Sequence, residues 1–102
     1  MTWCTYVHIL ATMDFEWDPT KAAGNLRKHG VDFADAVGVF DDPLGLSMPD
    51  DNPDEGRWVG IGSDFRGRVL TVIYSWRGAK IRLISARRAT PSERRAYEGK
   101  LR

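Results

Sequence analysis

Arg68-Val69-Leu70-Thr71-Val72-Ile73-Tyr74-Ser75-Trp76, the turn at Arg77-Gly78, and Lys80-Ile81-Arg82-Leu83-Ile84-Ser85-Ala86 decide the fold of this chain. Both segments are rich in valine, isoleucine, threonine and tyrosine, residues that suit a pleated, half-buried surface. So short a connection favours antiparallel pairing. Upstream, Arg57 to Gly62 has Val59 and Ile61 on one face and reads as a third strand, with Ser63–Gly67 as the turn between. The three make an antiparallel meander.

Downstream, Thr90-Pro91-Ser92-Glu93 is a full helix-start signal. Thr90 caps, Pro91 takes the first helical position, where no hydrogen bond is needed, and Glu93 completes the capping box. The helix expected from there through Leu101 offers little beyond Ala96, Tyr97 and Leu101 to bury, and carries Arg94, Arg95, Lys100 and Arg102. So polar a helix gains little from packing and reads as a partly docked or partner-facing element.

Towards the N-terminus, Phe15-Glu16-Trp17 is a short strand candidate. Asp18-Pro19 starts a helix that runs to about Lys28, with Gly30 suited to the left-handed residue past its end. Its apolar stripe, Ala22, Leu26 and His29, is thin. A second helix begins at Asp32, with Phe33, Ala36, Val37 and Phe40 on one face, and stops at Asp41-Asp42-Pro43. Pro43 to Gly56 reads as an acidic, proline-rich loop. The expected fold is α+β: an antiparallel sheet packed on two N-terminal helices, with a basic C-terminal helix. Residues 1–12 read as an extension or an extra edge strand, and 13–102 as one domain.

A chain of 102 residues fits one modest core. Net charge is only +1, but its distribution is uneven. Most of the eleven arginines lie from Arg66 onward, while ten acidic residues fall in Asp14–Asp54. A basic C-terminal half suggests an anionic partner; the competing explanation is a solvated surface. The single cysteine, Cys4, excludes an internal disulfide and fits a reducing, cytoplasmic compartment. The first thirteen residues lack a basic region and a cleavage site, so no signal peptide is expected, and no apolar run reaches the roughly 20 residues of a membrane span.

Most catalytic motifs are missing. His8 and His29 lack ligand spacing. Asp50, Asn52 and Asp54 resemble a calcium loop only faintly, because Glu55 precedes Gly56 and Ile61 stands where the closing glutamate belongs. There is no phosphate loop and no nucleophile elbow. No metal or cofactor is expected. Metal-free RNA cleavage asks for less: cations to stabilise a pentacoordinate phosphate, groups to move protons, and aromatics to hold splayed bases. Arg68, Arg82 and Arg87 are candidate phosphate holders, since arginine bonds two oxygens at once and stays charged. Lys28, His29 and Glu55 are candidate proton handlers. Trp58 and Tyr74, with Arg57 and Arg88, are candidate RNA contacts. Each has a plainer role open to it: Arg82 as an ion-pair partner, His29 as a packed side chain, Trp58 and Tyr74 as core aromatics. In an unbulged strand the odd spacing of Arg82 and Arg87 puts them on opposite faces, so a shared site requires a bulge or a strand end between them.

Three blocks then resemble one family. Phe15-Glu16-Trp17-Asp18-Pro19-x-Lys21 with Asn25-x-x-Lys28-His29-Gly30-Val31-x-Phe33-x-x-Ala36 is similar to the opening of BrnT-type toxins. Glu55-x-Arg57-Trp58-x-x-Ile61-Gly62 resembles their first central strand, and Ile81 to Thr90 with Glu93, Arg94 and Tyr97 their closing motif. The resemblance spans about Met13 to Tyr97. It implies a RelE-like ribonuclease toxin of a bacterial type II toxin–antitoxin pair that inhibits translation by cutting RNA without metal. It also implies a cognate BrnA-like ribbon-helix-helix antitoxin, contact with operator DNA only through the antitoxin complex, and room for a toxin dimer within it. The alternative is a degenerate, non-catalytic module that binds an antitoxin or nucleic acid as a co-repressor.

Overall fold

A computed structural model describes residues 14–51 and 56–99. The extension, Glu55 and Leu101 therefore lie outside the described residues. A five-stranded sheet is ordered β1-β5-β4-β3-β2. Its strands are β1 (Asp14–Glu16), β2 (Leu46–Pro49), β3 (Arg57–Ser63), β4 (Val69–Arg77) and β5 (Lys80–Arg88). The expected meander is β3-β4-β5, antiparallel throughout. β1 adds to β5 in parallel at one edge, and β2 to β3 antiparallel at the other. β2 falls inside the stretch read as loop. It is four residues long, mostly exposed and closed by Pro49, so it carries none of the alternation that marks a half-buried strand.

Helix α1 (Pro19–His29) begins and ends as its sequence indicates. The Asp18 carboxylate accepts from the Thr20 amide at 2.9 Å, and Gly30 closes the helix at φ 70°. The buried face differs from the expected stripe: Leu26 is 49 % exposed, and Asn25 is buried instead. The second helix is split. Phe33–Ala36 is α-helical (α2), capped by Asp32 onto the Ala34 amide, and Val37–Asp41 tightens into a 3-10 turn. Gly38 explains the close passage there, since a Cβ on it would stand 2.5 Å from the Phe65 amide nitrogen.

Strand alternation divides the sheet into two faces. Leu70, Val72, Tyr74, Ile81, Leu83 and Ala86 face α1 and α2 and form the core with Phe15, Val31, Phe33 and Ala36. Phe40 packs edge-on to Tyr74 at 4.9 Å. The intervening residues of β4, Thr71, Ile73 and Ser75, face the other way. The C-terminal helix α3 (Pro91–Gly99) covers only the Thr71 end of that second face, where Glu93 accepts from the Thr71 hydroxyl at 2.9 Å.

α3 is docked more firmly than its composition indicates. Tyr97 is buried, and its Oη donates to Asp42 Oδ2 at 2.6 Å. Asp42 also accepts from the Ser63 and Leu44 amides. Burial alone would raise the Asp42 carboxyl, but these bonds outweigh it and lower its pKa. The same bond, with burial, pushes Tyr97 up to about 12. A tyrosine raised above its unfolded value near 10 contributes stability that is complete below that pH and lost as pH rises towards 12. Tyr97→Phe is expected to cost about 1–2 kcal/mol in neutral urea unfolding, and the cost should shrink above pH 10.

Candidate nucleic-acid interface

The pairing of β4 with β5 slips by one residue between Ile73 and Tyr74: Ile73 faces Ser85, while Tyr74 faces Leu83. Ile84 is the extra residue, a β-bulge. It decides the geometry of the site, because it reverses the parity of β5 midway. Arg82 pairs with Ser75 and Arg87 with Thr71, four residues apart on β4 and therefore on one face. The bulge required for a shared site is present.

Three cross-strand rows result on the face away from α1 and α2. Arg57, Ser75, Arg82 and Glu16 make one, Val59, Ile73 and Ser85 the next, and Ile61, Thr71 and Arg87 the third. α3 lies over the third row, where Glu93 bonds Thr71 and Arg87. Arg82 and Arg87 are anchored about 13 Å apart along the strand.

Each cation is held differently. Arg82 donates through Nε to Glu16 Oε2 at 2.8 Å, and its side chain keeps 45 % exposure. Arg87 lays its fork on Glu93, Nη1 to Oε1 at 2.8 Å and Nη2 to Oε2 at 3.0 Å. Glu93 also accepts from the Thr90 amide at 2.8 Å, which is half of the capping box. Arg87 first of all, helped by the bonds from Thr90 and Thr71, outweighs burial and lowers the Glu93 carboxyl to about 2. Glu93 is therefore an orienting anion, not a proton acceptor near neutrality.

Several expected site residues stand elsewhere. Tyr74 is 4 % exposed, stacked in the core with its hydroxyl 3.2 Å from Ser47 Oγ, and offers no face to a base. Trp58 pairs with Tyr74 and packs against the core cluster, on the opposite face from Arg57. Arg68 is structural: Nε and Nη2 bond the fully buried Asp64 carboxylate at 3.0 and 2.8 Å, and Nη1 bonds the Gly30 carbonyl at 3.2 Å. It ties the β3–β4 turn to the end of α1. Lys28 and His29 occupy the last turn of α1, three and four residues beyond Asn25, which bonds the Ala86 backbone at the β5 edge. Arg88 pairs with Leu70 and belongs to that other face. Ser75 and Ser85 share the face with Arg82 and Arg87, a placement that small strand hydroxyls do not signal until the register is known. Among the described residues no cluster of His, Cys, Asp and Glu could hold a metal ion, and no helix is long and apolar enough to cross a membrane.

No curated protein matches the chain significantly. A family model described as the ribonuclease toxin, BrnT, of type II toxin-antitoxin systems matches residues 17–93. Among solved structures, the Brucella abortus ribonuclease toxin BrnT is similar at 29 % identity and a TM-score of 0.64, over 78 % of this chain and 99 % of that one. The family match runs from the strand-to-helix junction at Trp17 to the cap at Glu93 and takes in the bulged strand with both its arginines; this chain belongs to the BrnT family of ribonuclease toxins of type II toxin-antitoxin systems.

Proposed function

We propose that the chain cuts RNA without metal, on the sheet face that carries Arg57, Arg82 and Arg87. The observation that supports this most is the Ile84 bulge, which gathers the three arginines with Ser75 and Ser85 on one face of the sheet. The substrate's 2′-hydroxyl loses its proton and attacks the adjacent phosphorus, the P–O5′ bond breaks to leave a 2′,3′-cyclic phosphate, and the departing 5′-oxygen takes up a proton; the guanidinium groups of Arg57 and Arg87 stabilise the charge that builds on the phosphate oxygens. Proton transfer is assigned to Glu55, the carboxylate two residues ahead of Arg57 in the chain. Lys28 and His29, in the last turn of α1, are given no part. Cleavage of cellular RNA inhibits translation in the cytoplasm. A BrnA-like ribbon-helix-helix antitoxin neutralises the toxin by covering this face, and carries the complex to operator DNA.

The test is incubation of purified protein with mixed RNA in excess EDTA. Cleavage is expected to persist, and Arg57→Ala should reduce its rate by about 10²-fold. Glu55→Gln should stop cleavage while RNA is still retained. Loss of wild-type cleavage in EDTA would overturn the metal-free mechanism. A wild type that retains RNA and never cuts it would favour the binding-only alternative.

A further inference from the structure

Beside the cationic face, at the sheet edge, lies a cleft of about 440 Å³ lined by Glu16, Trp17, Lys21, Arg82 and Ile84, among others. It opens where β1 stops pairing at Glu16 while β5 continues and bulges at Ile84. Its volume falls within the roughly 300–1,000 Å³ of small-molecule sites. Its charges cancel, two acids against two bases, so it is not a simple phosphate trap. Asp18, the other acid, is occupied in capping the Thr20 amide.

Glu16 and Arg82 meet through Oε2 and Nε alone, at 2.8 Å. Glu16 Oε1 and both Nη groups of Arg82 make no bond among the described residues. The pair therefore presents two donors followed by one acceptor. Guanine offers the complement along one edge: acceptors N7 and O6, then the donor N1–H. Adenine reverses the second and third positions, with a donor at N6 and an acceptor at N1. Trp17, held edge-on to Phe33 at 5.9 Å, supplies an aromatic wall for stacking. Lys21, exposed and part of the lining, supplies a cation for the nucleotide's own phosphate.

We propose that this cleft takes one unstacked guanine of the RNA and sets where the chain is cut. The proposal rests on the ribonuclease reading of the adjoining face. Its test has two arms. Sequencing the ends of cleaved RNA should show guanine enriched at one position beside the cut. Glu16→Gln turns the acceptor facing N1–H into a donor, and should return the profile to the composition of the RNA. In the second arm, guanosine and adenosine monophosphates are titrated and followed by the Trp17 indole N–H signal. Guanosine monophosphate should bind about tenfold more tightly, the discrimination of one good base contact, and Glu16→Gln and Arg82→Lys should each abolish the difference. Cleavage without guanine enrichment, or a profile unmoved by Glu16→Gln, would overturn the cleft proposal and leave the ribonuclease standing. If the wild type cuts nothing, the ribonuclease reading fails and the titration alone decides the cleft. Equal affinity for the two nucleotides would then overturn it.

Discussion

Replacing Asn25 with alanine is expected to destabilise the protein by about 3 kcal/mol and to lower its thermal midpoint by about 12–24 °C. Asn25 is buried, and its amide does the work of a missing strand. β1 pairs with β5 only as far as Arg82, and among the described residues no strand continues along the far half of that edge. There Asn25 Oδ1 accepts from the Ala86 amide at 3.1 Å, and Nδ2 donates to the Ala86 carbonyl at 2.8 Å. The same Nδ2 donates to the Val31 carbonyl at 3.0 Å. Alanine would strand three backbone groups in a dry place, and each orphan costs more than its bond contributes. Asn25→Asp sharpens the test. It keeps an acceptor for the Ala86 amide but sets a carboxylate oxygen against two carbonyls, so it should destabilise at least as much as alanine at neutral pH. A drop under about 5 °C for both variants would show that water replaces the amide.

Asn25 also marks the boundary of what was legible beforehand. Its place one residue before Leu26 could be read, but a helical period built on apolar residues chose Ala22, Leu26 and His29. A single amide serving a strand edge has no periodicity to reveal it. The parts that were read correctly rest on local physics. The Asp18-Pro19 and Thr90-Pro91 starts, the Gly30 stop and the β3-β4-β5 meander all follow from residues within a few positions of one another. β2 was missed because it is short, exposed and held by pairing with β3 alone.

The candidate site depended on distant partners and was only half legible. Arg82 and Arg87 were identifiable, and so was the condition for their sharing a face. Whether β5 bulges is decided by its pairing with β4, which no local pattern of Ile81 to Ala86 declares. Arg68, too, depends on a partner distant from the motif that singled it out. Its chemistry suits phosphate, but the buried Asp64, brought round by the intervening turn, claims it first. Tyr74 and Trp58 went the way their strand positions favoured, towards the core.

Glu93 carries the second large effect, and its sign can be tested with acid. Its carboxylate accepts from Arg87, Thr71 and the Thr90 amide, so Glu93→Ala removes in one step the helix cap, the ion pair and the partner of a buried hydroxyl. We expect a cost of about 3 kcal/mol. The pKa of the folded carboxyl, lowered from 4.5 to about 2, sets the pH window. Because the folded value lies below the unfolded one, the stabilisation is complete above about pH 4.5 and is lost as pH falls towards 2. A shift of that size amounts to about 3 kcal/mol at most, and solvent screening of a pair at the surface brings it to about 1–2 kcal/mol. Glu93→Gln keeps an acceptor for Thr90 and Thr71 but cannot titrate. Between pH 6 and pH 2 the variant should therefore lose about 1–2 kcal/mol less than the wild type in urea unfolding. Asp42, whose pKa is also lowered, loses its contribution equally in both proteins and cancels. Parallel acid profiles would show that the Arg87–Glu93 pair does not stabilise the fold. In that case Arg87 would be held on the open face by its strand position alone.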